Sequence, residues 1–135
     1  MKPYLMLLLL AVLLYSCGEK TVDDILDCPD NLACTEELRH ITYSPMANGQ
    51  PVVLDHYYVK NLDNGQIYQS NPAILQAEGS YLVVSDLEMD QLRQSGTILR
   101  FFGVIDNKIV LETDFKVGKD CCHIVPLGGP YDLQQ

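Results

Sequence analysis

The sequence predicts a single all-β domain, a β-sandwich of about seven strands with one short helix. Three observations carry that expectation. From about Leu38 onward, short apolar runs of alternating parity are broken by Gly, Asn, Asp and Pro about every 8–12 residues. The chain has 135 residues, enough for one sizeable core and no second. Tryptophan is absent, which excludes an antibody-type Cys…Trp…Cys core. The alternative architecture is a small β-barrel.

The elements follow in order. Arg39–Tyr43 reads as a short strand, and Asn48-Gly49 turns the chain, since both residues tolerate positive φ. Val52–Asn61 is a longer strand. Val53, Tyr57 and Val59 share one parity, and Val52, Leu54, His56 and Tyr58 the other. Asp63-Asn64-Gly65 gives the best hairpin signal, into Gln66–Ser70, and Asn71-Pro72 breaks the run. Tyr81–Ser85 is a central strand of β-formers. Ser85 with Glu88 three residues later is a capping-box pattern and predicts a short helix over 86–94. Leu87, Gln91 and Leu92 then face inward, and Gly96 ends the helix.

Thr97–Ile105 is the next strand, Asp106-Asn107 a turn, and Lys108–Val117 the cleanest alternation. Ile109, Leu111, Thr113, Phe115 and Val117 face one way; Val110, Glu112, Asp114 and Lys116 face the other. That describes a sheet with one dry and one wet side. Asp120–Pro126 reads as a last strand, and Pro126-Leu127-Gly128-Gly129-Pro130 ends regular structure.

The N-terminus has a different character. Lys2 precedes Leu5–Leu14, ten consecutive apolar residues. A bilayer-spanning helix needs roughly 20, so the run reads as the core of a secretory signal over residues 1–16. A buried N-terminal helix is the alternative. Leu14-Tyr15-Ser16-Cys17, followed by Gly18, resembles the lipobox of bacterial lipoproteins: an aliphatic residue three before the cysteine and a small one just before it. Tyr15 departs from the usual small residue. The resemblance implies cleavage before Cys17, a diacylglyceryl group on its thiol, and a fatty acyl chain such as palmitate on its new amine. Ordinary secretory cleavage, leaving Cys17 free or paired, is the competing reading. Gly18 stands where an Asp in enterobacterial lipoproteins signals inner-membrane retention, which favours the outer membrane. Residues 17–36 then form a lipidated acidic tether, and 37–135 the sandwich domain. Lys20 with Asp23 and Asp24 loosely resembles the acidic surface-export signals of Bacteroidota lipoproteins.

Formal charge is −9, from 9 Lys+Arg and 18 Asp+Glu. That argues against nucleic-acid binding and against electrostatic attraction to anionic lipid. Beyond Cys17, four cysteines remain: Cys28, Cys34, Cys121 and Cys122. An even number in an exported chain points to disulfides. Three pairings are open: 28–34 with 121–122, 28–121 with 34–122, or 28–122 with 34–121. Adjacent cysteines close a strained ring, which favours one or two bridges from the 28–34 segment to the C-terminal strand. The alternative is a metal or thiol-redox centre of Cys121, Cys122 and His123, soft donors suited to copper(I) or zinc. Neighbouring strand residues point to opposite faces, so that centre needs a bulge.

Other constellations carry less. His40 and His56 have no carboxylate at motif spacing, and no hydrolase, zincin or phosphate-loop motif is present. Asn61–Gly65 echoes a calcium loop but lacks its later Glu. Glu112 and Asp114 are explained by a wet sheet face. Tyr57/Tyr58 and Phe101/Phe102 each split across two faces, leaving an outward half for a binding patch.

The lipobox, Cys34-Thr35-Glu36-Glu37, Asn48-Gly49-Gln50-Pro51-Val52 and Phe115-Lys116-Val117-Gly118-Lys119-Asp120-Cys121-Cys122-His123 together resemble small cell-envelope lipoproteins of the Bacteroidota type. The Asn-Gly-Gln-Pro-Val step also looks like a strand-entry turn of transthyretin-like sandwiches. The resemblance implies an immunoglobulin- or transthyretin-like fold at the cell envelope. The expectation is therefore a lipid-anchored protein presenting a binding or assembly surface to an envelope protein or glycan, with no catalysis, no cofactor and no nucleic-acid partner. A weaker alternative is an envelope inhibitor acting through the loop at 71–79.

Overall fold

The computed structural model describes residues 27–68 and 77–130. The signal segment 1–16, Cys17 and most of the 71–79 loop lie outside them. Among the described residues nine strands run in chain order: β1 (His40–Tyr43), β2 (Met46–Ala47), β3 (Gln50–Pro51), β4 (His56–Asn61), β5 (Ile67–Tyr68), β6 (Tyr81–Ser85), β7 (Thr97–Ile105), β8 (Lys108–Lys119) and β9 (Ile124–Gly128). A five-stranded antiparallel sheet has the order β5-β4-β7-β8-β9. A two-stranded sheet, β1-β6, lies across it, and β2-β3 forms a small ribbon. The fold is an all-β sandwich. Its large sheet ends on β5 and β9, which do not pair, so no barrel closes among the described residues.

The layers meet through aromatic side chains. Tyr43 of β1 packs edge-on against Phe101 and Phe115, and Tyr81 of β6 against Tyr57. Phe101, Phe115, Leu99 and Val117 are completely shielded from solvent. The alternation of β7 and β8 places them there: Leu99 pairs with Phe115 and Thr97 with Val117 across the ladder. The turns match their residues. Asn48 and Gly49 have φ of 52° and 75°, and Asp106 and Asn107 of 50° and 58°, the left-handed pairs that tight hairpins need.

Four expectations require correction. Val52–Asn61 is not one strand: the chain pairs with β2 at 50–51, leaves that ribbon, and joins the five-stranded sheet at His56. In the gap Leu54 turns inward, its N–H donating to the Tyr81 hydroxyl at 2.7 Å. Its methyls would lie 2.8 and 2.9 Å from a Cβ on Gly103, so a larger residue there would have to displace the Leu54 side chain.

The helix is a 3₁₀ segment over Asp86–Gln91, started by the expected capping box. The Ser85 N–H donates to Glu88 Oε2 at 2.9 Å, and the Leu87 N–H to Ser85 Oγ at 3.3 Å. With three residues per turn, Met89 and Leu92 align inward and Leu87 points out, 61% exposed.

Ile109 does not share the dry face. The β7–β8 register shifts between Gly103 and Val104, pairing Gly103 with Leu111 but Val104 with Ile109. Val110 is the extra residue, and the bulge carries Ile109 to the outer side, where it is 54% exposed. Finally, Asp120–His123 is a turn, and the last strand runs over Ile124–Gly128. Asp120 Oδ1 accepts the N–H groups of Cys122 (2.8 Å) and His123 (2.7 Å), which bends the chain out of strand geometry.

Candidate functional site

Two places bring together the residues singled out in the sequence. The first is the Asp120–His123 turn at one end of the sandwich. Both disulfides form there: Cys28 with Cys121, and Cys34 with Cys122. Of the three open pairings, this one clamps the segment ahead of β1 onto the turn behind β8. The sequence separations are 93 and 88 residues.

His123 lies beneath those bridges, almost wholly buried. Its Nδ1 is 2.8 Å from Asp86 Oδ2 and its Nε2 is 2.9 Å from Thr35 Oγ1. A carboxylate only accepts, so the ring proton is assigned to Nδ1, and Nε2 accepts the Thr35 hydroxyl proton. Asp86 is itself held in place. Its Oδ2 also accepts the Arg39 N–H at 2.7 Å, its Oδ1 accepts the Ile124 N–H at 2.8 Å, and its own N–H donates to the Arg39 carbonyl. One carboxylate thus joins the entrance of β1, the exit of β6 and the start of β9. The two N–H bonds to Asp120, from Cys122 first and then His123, hold its carboxyl below the usual carboxylate range.

The metal or thiol reading of Cys121, Cys122 and His123 meets a different chemistry here. Both sulfurs are consumed in S–S bonds, and both ring nitrogens of His123 are engaged. Among the described residues, no group of three or more His, Cys, Asp or Glu is placed to hold a metal ion.

The second place is the outer face of the large sheet. Tyr58 and Phe102 stack across β4 and β7 with centroids 4.8 Å apart, while Tyr57 and Phe101 stack on the inner side at 5.2 Å. The aromatic split read from the sequence is therefore present. The next rung of the ladder carries His56, Val104 and Ile109. Val104 is buried yet stands apart from the main core cluster, as an outer-face residue would. The rung on the other side pairs Lys60, Arg100 and Asp114. Arg100 grips Asp114 through Nε (2.6 Å) and Nη2 (2.8 Å) and reaches Glu112 at 2.9 Å. That fork lowers the Asp114 carboxyl from its ordinary value. Glu112 and Asp114 are thus engaged with a guanidinium on the open face.

His40 and His56 are exposed at strand starts. Asn61, the first residue of the calcium-like run, is fully buried. Its Nδ2 donates to the Tyr68 hydroxyl (2.9 Å) and the Gln91 carbonyl (3.2 Å), and its Oδ1 accepts the Asp63 N–H. It fastens the β4–β5 turn from below. Sequence reasoning missed Thr35 and Asp86. They lie 88 and 37 residues from His123, and no local spacing joins them. The one available signal was Asp86 just after a capping-box Ser.

No protein-family model matches the chain, and no curated protein or solved structure is similar enough to count as a match. The two disulfides indicate an oxidising, extracytoplasmic setting for the folded chain. Among the described residues, no helix is long and apolar enough to cross a membrane.

Proposed function

We propose that this chain is a lipid-anchored cell-envelope protein, held at the outer membrane through acylated Cys17, whose sandwich presents a binding or assembly surface at the end remote from the anchor. The observation that carries this reading is the double clamp. Both bridges fix the segment that follows Cys17 to the Asp120–His123 turn. Ten residues separate Cys17 from Cys28. Their reach is at most about 40 Å, so the bridged end stays near the bilayer. Acyl chains supply the attachment, at about 0.8 kcal/mol per buried CH₂.

The strands set the direction of presentation. β8 has 12 residues, which puts the β7–β8 hairpin tip about 37 Å from the bridged turn. The Asp106 N–H donates to Asp55 Oδ2 at 2.7 Å and ties that tip to the start of β4. On the outer face at this far end lie Tyr58, Phe102 and Ile109, bordered by the Arg100 fork. An aromatic and aliphatic patch beside paired charges suits an envelope protein or glycan. The resemblance to Bacteroidota-type lipoproteins supports the same location.

The test has two arms. Intact mass and fractionation of the expressed precursor should show cleavage before Cys17, added acyl mass, and recovery with outer membranes. Cys17→Ser should release the chain into the soluble fraction. A full-length, unacylated protein in the cytosol would overturn the anchor. A photo-crosslinker at Ile109 should capture an envelope partner that one at Glu36 does not. Equal capture at both ends would overturn the directional surface.

A further inference from the structure

We propose that Thr35 is an activated hydroxyl that accepts acyl groups from small uncharged carboxylic esters, with His123 as its general base and Asp86 as the positioning residue of that base. The arrangement lies at the bridged end and goes beyond the binding surface described above. Three features carry it. The order is hydroxyl to Nε2 and Nδ1 to carboxylate, at 2.9 and 2.8 Å, which is the polarity that lets an imidazole draw a proton from a hydroxyl. Shielding is graded. Thr35 is exposed to an incoming molecule, while the His123 and Asp86 side chains are only 7% and 12% exposed.

The geometry is also fixed on both sides of the pair. Cys34 and Cys122, bonded to each other, directly precede Thr35 and His123 in the chain. Asp86 is held by two backbone N–H donors besides the imidazole, and the His123 backbone by Asp120. A latch alone does not account for this. Two disulfides already hold the segment, and one more hydrogen bond contributes about 1 kcal/mol, little return for shielding an imidazole and a carboxylate.

The chemistry balances without a further reagent. Thr35 Oγ1 bonds to the ester carbonyl carbon as its proton passes to His123 Nε2. The bond to the leaving alcohol breaks, and the alcohol takes that proton from Nε2. A water molecule, deprotonated by Nε2, then attacks the threonyl ester and releases the carboxylic acid, restoring the hydroxyl. Asp86 accepts from Nδ1 throughout and keeps the ring in register. Glu36 and Glu37 follow Thr35, and Asp120 flanks His123, with Arg39 the cation that acts on Asp120. Three carboxylates against that one guanidinium disfavour anionic acyl groups, which is why uncharged esters are assigned.

The experiment uses the disulfide-intact chain with p-nitrophenyl acetate as substrate and a fluorophosphonate as covalent probe, followed by peptide mapping. The expected result is a probe adduct on Thr35, retained in Thr35→Ser and lost in Thr35→Val. His123→Gln should slow labelling about 10²–10⁴-fold. Asp86→Asn should lower the rate and move the pH midpoint of labelling, a change that a structural role alone would not produce. Thiol counting and a melting curve on each variant establish that the fold persists. An unlabelled Thr35 in folded protein, or labelling as fast in His123→Gln as in the parent, would overturn the proposal. Neither outcome touches the Cys17 fractionation that tests the anchor.

Discussion

Residues 27–39 and the sandwich behind them are held by different forces. No residue in 27–39 is buried, and Leu32 and Leu38 are each 45% exposed. Two S–S bonds, the Thr35–His123 contact and the Arg39–Asp86 bonds hold that segment. The sandwich rests on apolar burial, with Phe101 and Phe115 at its centre. The difference shows what a polar, aperiodic stretch requires: without an apolar face, it needs a covalent and hydrogen-bonded receiver. Here that receiver is the Asp120–His123 turn.

Breaking the clamp gives the largest expected effect. The first bridge closes a loop of about 90 residues, which the chain-entropy model values at roughly 4–5 kcal/mol. The second then closes a ring of only about 8 residues, worth roughly 2–3 kcal/mol. Removing one bridge, as in Cys34→Ser/Cys122→Ser, should therefore cost about 2–3 kcal/mol, and removing both about 7 kcal/mol. Urea unfolding of the two variants checks this. Equal losses for one and two bridges would mean that the bridges are not redundant closures of the same loop.

The sandwich side is probed by Phe101→Ala, expected to cost about 3–5 kcal/mol because the ring touches both layers and the site has little room to collapse. Leu38→Ala, in the clamped segment, should change stability by less than about 0.5 kcal/mol. Comparable losses for the two would erase the contrast between the regions.

The legibility of the molecule divides along the same line. Tyr81–Ser85 and Thr97–Ile105 were readable to the residue, since their apolar runs and turns agree with the fold they enter. The hairpins at Asn48-Gly49 and Asp106-Asn107 were readable for the same reason. The bulge at Val110 was not, because the alternation of Lys108–Val117 continues through it and nothing local in the sequence marks the register shift beside Gly103. Cysteine arithmetic reached the bridge partners but not the pairing, which depends on a turn that side-chain hydrogen bonds impose. Thr35 and Asp86 join His123 only after three separate segments have met.

The smallest expected effect sharpens the account of that receiving turn. Asp120 has a folded-state carboxyl below the ordinary value, caused chiefly by the Cys122 N–H and then the His123 N–H. A depressed carboxyl contributes stability that is fully present above the unfolded value, about 3.9, and drains away as pH falls through the folded value. Asp120→Asn keeps an acceptor oxygen for the same N–H groups but removes the charge. Parent and variant should therefore differ most near neutral pH, by less than about 1 kcal/mol since the carboxylate is open to solvent, and converge as pH falls through the depressed folded value. Acid titrations of unfolding, run with both disulfides intact, read this directly. A gap that widened toward acid would reverse the sign, and a gap that did not change with pH would make the carboxylate a bystander in a turn held by its sulfur bridges.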